Sequence, residues 1–263
     1  MKEQFKQYRK SAAVAMIVML LTILSISGCG THSTKKTNGE IEEPEGVFME
    51  DFNGDVIDES IWTIADWQEH GGQTSPDRCF VKDGYLHMLL LNNEGEILSS
   101  AIQTKQEFMY GRWEARLKPS SIPGVLNSFY TIDWRGGSGS RQEIDIEFLT
   151  YSFGENTGEV HFAVHAAGLK SFNTNPDIKL DFNPADDFHV WGFDIISDKI
   201  EWFVDDEVLF TYLYNEHEIK IDTPYQLKLN AWTQNDWING PPRSGVQTEY
   251  LIDWIRFTPY SGE

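Results

Sequence analysis

The sequence predicts an all-β fold, a two-sheet β-sandwich, and three observations carry that prediction. From Phe48 onward the apolar residues fall in short runs or alternate with period two. No stretch of ten residues shows a helical apolar period. Two-residue polar turns recur between the runs, the pattern of successive hairpins. With 263 residues, 40% hydrophobic and 13% aromatic, the chain can bury one sizeable core.

The first 46 residues stand apart from that core. Lys2, Lys6, Arg9 and Lys10 make a positive start, and residues 12–26 form an apolar run too short to span a bilayer comfortably. Residues 1–29 resemble a bacterial lipoprotein signal peptide, with Ile26-Ser27-Gly28-Cys29 as the lipobox and Cys29 as the lipidated residue. An uncleaved N-terminal anchor is the alternative. Both readings place the protein outside the cytoplasm, held at the membrane of the bacterial cell envelope or cell surface. Residues 30–46 are polar and read as a flexible tether. Residues 47–263 form the folded domain.

Within that domain, residues 85–91 are an apolar run and residues 112–117 alternate. Residues 190–196 lead through Ser197-Asp198 to 200–204, then through Asp205-Asp206 to 208–210. Residues 250–257 close the domain. There is no internal repeat and no second domain, and a monomer is expected. If Cys29 is lipidated, Cys79 is left alone and no intrachain disulfide can form. In the strand-like run Arg78-Cys79-Phe80-Val81 it reads as a small buried residue rather than a nucleophile.

A formal charge of −20 disfavours nucleic acid and sulfated or uronate-rich polysaccharides as partners. A neutral partner fits better. The most telling run is Glu143-Ile144-Asp145-Ile146-Glu147. On a strand the three acids share one face, with Ile144, Ile146 and Phe148 on the other. Solvated acids on a half-exposed strand would give the same pattern. Paired carboxylates are also what glycoside hydrolysis requires, one as nucleophile and one as acid and then base. Tyr130, Trp134, Trp232 and Trp237 fall near turns or among polar neighbours, where aromatic rings can stack on sugar faces.

These residues together resemble glycoside hydrolase family 16. The likeness spans roughly residues 47–258. It runs through Asp83-Gly84-Tyr85-Leu86, residues 110–119, Phe188-His189-Val190-Trp191-Gly192-Phe193, Trp202-Phe203-Val204-Asp205 and Asn230-Ala231-Trp232. The resemblance implies a concave jelly roll and retaining hydrolysis of a β-glycan. It implies Glu143 as nucleophile, Glu147 as acid/base and Asp145 as the residue holding the nucleophile's charge state. It implies that no cofactor is required, and a structural Ca²⁺ held through Asp253 and the Gly84 carbonyl. The alternative for Asp253 is an ordinary surface or hydrogen-bonding acid. Glu143 and Glu147 lie about 13 Å apart at Cα on a straight strand, whereas retention needs carboxyls about 5–5.5 Å apart. Inward-leaning side chains on a curved strand would close that gap.

The acid run lacks the extra residue that bulges the strand in many laminarinases, agarases and carrageenases. In this it is similar to the 1,3-1,4-β-glucanases (lichenases) and the xyloglucan-active enzymes. Gln103 stands where lichenases carry a substrate-binding arginine, and His161, Ala163 and His165 replace Gln, Asn and Tyr. His161 and His165 share a face; hydrogen bonding to sugar hydroxyls suits them better than binding a metal without a third ligand. His189 reads as structural. The expected substrate is a neutral mixed-linkage β-glucan. A 1,3-β-glucan, another β-glycan, transglycosylation, or a non-catalytic glycan-binding lipoprotein are the alternatives.

Overall fold

Tight turns set the strand pairing. Asp83-Gly84, Glu94-Gly95 and Asp205-Asp206 each hold both central residues at positive φ, between 49° and 97°. Turns of this hand match the twist of the strands they join, so the chain reverses within two residues. The computed structural model describes residues 46–69, 72–134, 141–166, 176–217, 219–234 and 236–260. Cys29, the proposed leader and all but the last residue of the tether lie outside the described residues.

Seventeen strands are described, numbered β1 to β17 in chain order. The front sheet runs in space β2 (Trp62–Ile64), β7 (Glu96–Thr104), β16 (Gln226–Trp232), β9 (Leu126–Asp133), β10 (Gln142–Leu149), β11 (Gly158–Ala166) and β12 (Asp177–Leu180), each neighbour antiparallel. The back sheet runs β15 (Glu207–Leu213), β14 (Lys199–Val204), β13 (His189–Ile195), β8 (Gly111–Lys118), β17 (Gln247–Pro259), β6 (Tyr85–Asn93) and β5 (Cys79–Lys82). β1 (Phe48–Glu50) pairs with β17. The short β3 (Gln68–Glu69) pairs with β4 (Gly72–Thr74), which lies parallel to β7. β7 joins the sheets: its first residues pair with β6 and its later ones with β16. The fold is a two-sheet sandwich, as the strand pattern predicts, and a jelly roll, as the resemblance implies, with every described pairing antiparallel except β4 with β7.

The inner faces make the core. β8 alternates strictly, burying Trp113, Ala115 and Leu117. β10 turns Ile144, Ile146 and Phe148 inward, all fully buried. They pack with Phe129, Phe162, Trp191, Phe193 and Trp202, and each such side chain contributes about 1.5–3 kcal/mol by leaving water. Trp202 on β14 also donates its indole N–H across the core to the backbone carbonyl of Asp145, at 3.0 Å. Packing at Gly192 is tight: a Cβ there would sit 2.1 Å from the Trp113 carbonyl oxygen and 2.2 Å from the Phe203 ring.

Three expectations meet the structure on or beside the back sheet. Cys79 is a free, buried thiol, pushed up to about 12 by burial. His189 contacts the Asp205 carboxylate through Nδ1 at 2.7 Å, a structural partner. No calcium site is shown at Asp253 and Gly84. The Asp253 carboxylate is bound by the Arg116 guanidinium, so the one acid assigned to the metal already has a cation. Gly84 serves the Asp83-Gly84 turn at φ 80°. No group of three or more His, Cys, Asp or Glu side chains gathers for a metal among the described residues.

Candidate active site

Strand register sorts the outer face of the front sheet into rows. One row is Gln226, Ile132, Glu143 and His165. The next is Gln103, Lys228, Tyr130, Asp145 and Ala163. The third is Asn230, Ser128, Glu147, His161 and Asp177. β10 pairs with both neighbours without a register shift from Glu143 to Glu147. The period of two therefore holds through the whole acid run, and all three carboxyls stay on one face.

Like charges then meet in a poorly solvated place. Glu147 is pushed well above the usual carboxylate range, first by burial, then by Glu143 and Asp177. Asp145 is pushed the same way by burial, Glu143 and Glu147, against the pull of Arg141. Arg141 holds its Nε 3.1 Å from Glu143 Oε2. His165 brings Nε2 to 3.5 Å from Asp145 Oδ2. Burial, with Arg141 and His161 nearby, holds the His165 imidazole down at about 4, so it is neutral at pH 7. His161 Nδ1 lies 2.6 Å from Asp177 Oδ1. An acid at 147 driven toward its protonated form, beside a second carboxyl group at 143, gives one strand the parts of a donor and nucleophile pair.

Two adjoining cavities open on this face. One, about 530 Å³, is lined by all three acids with His161, His165, Asn230, Trp232 and Trp237. The other, about 690 Å³, is lined by Trp67, Gln103, Trp134, Gln226 and Lys228. Tyr130, Arg141 and Glu143 border both.

The structure brings together Glu143, Asp145, Glu147, Tyr130, His161, His165, Asn230, Trp232 and Trp237, and puts Trp134 in the second cavity. Asp253 lies on the back sheet and Gly84 in the β5–β6 turn. The aromatic residues differ from the expected row of open platforms. Trp134, just past β9, is 52% exposed, with the Arg141 guanidinium 5.9 Å above its ring. Trp232 is only 6% exposed and packs with Leu126, Leu149 and Ile238, showing the cavity one part of its ring. Tyr130, at 5%, is likewise mostly floor; Asn230 Nδ2 donates to its hydroxyl at 3.4 Å. Trp237 is half-buried between Trp232 and His161, with centroids 6.2 and 5.5 Å away.

Arg141, Asp177, Ser128 and Lys228 escaped the sequence reading. Arg141 and Lys228 carried a signal. Arg141 has the parity of the acids, two residues before Glu143. Lys228 has the parity of Asn230, two residues before it.

The chain matches the family model for Glycosyl hydrolases family 16 over residues 67–256. It is 28% identical over 226 residues to a β-glucanase of Bacillus subtilis (strain 168), covering 81% of this chain and 86% of that protein. Its fold superposes on a Bacillus licheniformis β-glucanase with a TM-score of 0.71 at 23% identity, over 83% of this chain and 100% of that one. It also superposes on a prokaryotic β-1,3-1,4-glucanase (lichenase) from a mouse hindgut metagenome. There the TM-score is 0.70 at 25% identity, over 81% of this chain and 99% of that one.

Proposed function

The chain belongs to glycosyl hydrolase family 16, and from that premise we propose that it is a retaining, endo-acting β-glucanase whose preferred substrate is a mixed-linkage 1,3-1,4-β-glucan. One observation carries the reading: Glu143 and Glu147 share one open face of β10, where Glu147 is pushed toward the protonated form, first by burial and then by Glu143 and Asp177. Glu143 attacks the anomeric carbon while Glu147 gives its proton to the departing glycosidic oxygen. A glycosyl ester forms at Glu143. Glu147, now a carboxylate, takes a proton from water as that water attacks the same carbon, and the ester bond breaks. Asp145, buried between them, hydrogen-bonds the nucleophile when protonated. No cofactor enters these steps.

Trp134 and Trp237 present ring area to sugar faces, and His161, His165 and Asn230 meet hydroxyls. Tyr130 and Trp232 floor the cleft. The unbroken register of β10 and the lichenase and β-glucanase relatives favour mixed-linkage glucan. The run from His161 to His165, which resembles the laminarinase pattern more than the lichenase one, keeps 1,3-β-glucan as the second reading. Reducing-sugar release from lichenan, laminarin and xyloglucan tests both. Fastest release from lichenan supports the proposal. Tight binding with no release from any of the three would make the protein a glycan-binding module instead.

The leader supports a second part of the proposal: the mature enzyme is a monomer held at the cell envelope by lipid on Cys29. One acyl chain anchors weakly, so Cys29 carries more than one. Cys29→Ser should abolish lipidation and release the enzyme from membranes or leave it unprocessed. Mass spectrometry showing unmodified Cys29 in the mature protein would refute the anchor.

A further inference from the structure

Lys228 is the feature that the proposed chemistry does not use. It lies on the third strand of seven in the front sheet, is only 9% exposed, and turns toward the cleft rather than the core. Its neighbours Leu227 and Leu229 supply the core contacts on the other face. The ammonium stands 5.4 Å from the Trp67 ring centroid and 5.8 Å from that of Tyr130. Two aromatic faces hold a cation well. Even so, desolvating an ammonium costs more than burying a methionine or leucine, which would cover the same rings.

Register gives this cation a meaning. The residue paired with Lys228 on β7 is Gln103, the position where the lichenase pattern carries a substrate-binding arginine. Neighbouring strands are about 4.8 Å apart, so a side chain on β16 reaches the space served from β7. Lys228, Gln103 and Gln226 line one cavity, which also reaches Glu143 but is not lined by Glu147. A glycan cut between the two acids would lay the part that stays on Glu143 into this cavity. Lys228 stands two strands from β10, too far to serve the ring under attack.

The geometry points to Lys228 as a substrate-binding, specificity-determining residue. It donates hydrogen bonds to the hydroxyls of a neutral glycosyl unit beyond the one attacked at Glu143, in place of the arginine absent at position 103. The inference rests on the β-glucanase reading above. An ammonium offers three donors and no acceptor, and Lys228 lines the cavity from its seat by two rings. The cation is thus moved one strand along the sheet rather than lost.

The test uses the enzyme with Lys228→Met, Gln103→Arg and both together, on a ladder of mixed-linkage oligosaccharides of increasing length. Lys228→Met should lower kcat/KM by about ten- to hundredfold on oligosaccharides long enough to reach this cavity. The loss should fall on KM and vanish on the shortest substrate that is still cut. Adding Gln103→Arg should restore most of it. A loss equal at every length, or none, would overturn the inference. A loss that Gln103→Arg does not rescue would overturn the relocation. Lys228→Gln, which keeps a donor without the charge, reports on the same contact should the Met variant fold poorly, and should show a smaller loss of the same length dependence. A wild-type enzyme inert on every β-glucan would instead refute the underlying reading and this inference with it. An active wild type with an indifferent Lys228 refutes the inference alone.

Discussion

The outer faces of the two sheets handle acids in opposite ways. On the back sheet and its turns, acids meet cations. Arg112 touches Glu114, Asp194 and Asp206, Arg116 binds Asp253, and Lys199 meets Glu201 at 2.8 Å. On the front sheet Glu143, Asp145 and Glu147 stand together, with Arg141 paired to the nucleophile. Two of the three are driven toward the protonated form. The back face is arranged as a stability problem would be solved. The front face keeps a repulsion that folding alone would remove, which marks it as the working face.

The largest effect that would break this contrast is on turnover. Glu143→Gln should lower kcat by about a thousandfold or more while glucan binding persists. Near-normal turnover in that variant would empty the front face of its meaning. Next, Trp232→Ala should destabilise the domain by about 3–5 kcal/mol, since most of the ring is packed. A thermal melt beside a kinetic assay separates that from a loss of activity per folded molecule.

The third prediction concerns the sign of the repulsion. The folded state holds a proton on Glu147 more tightly than the unfolded chain, whose value is 4.5. Stability tied to this group is therefore complete below that value and is lost as pH rises through the raised folded value. Glu147→Gln should abolish turnover of glucan yet melt higher than wild type at neutral pH, with the gap closing as pH falls toward 4.5. A melt lower than wild type at pH 7 would contradict the contrast. On the back face the sign reverses. Arg112→Met should destabilise, by about 1 kcal/mol, because its pairs are partly solvent-exposed. The smallest effect is metal removal: with Arg116 on Asp253, EDTA should leave the melting temperature unchanged, and a drop reversed by Ca²⁺ would correct that assignment.

Much of the front face was legible because period two in sequence becomes one face in space. Glu143, Asp145 and Glu147, and His161 with His165, needed nothing more. Depth was not legible. Tyr130 and Trp232 have the correct parity for the cleft, but how far a ring is covered depends on strands distant in sequence, such as Leu126 and Leu149 closing over Trp232. Charge partners were lost for the same reason. Asp177 meets His161 only because β12 lies beside β11, and Lys228 faces Gln103 only through register. Arg116 meets Asp253 across 137 residues in the same way. Arg141 is the exception, a local residue with the right parity that the alternation of acids and isoleucines obscured.

Cys79 has one more consequence. Its thiol is buried between the sheets' edges, too weakly acidic to react at neutral pH while the fold holds. With Cys29 capped by lipid, it would be the molecule's single dormant handle for a thiol-reactive dye. Labelling then becomes a clock for openings of β5 and β6, run without any probe being engineered. A labelling rate that falls when oligosaccharide is added would measure how far occupancy of the cleft tightens a strand on the opposite side of the core.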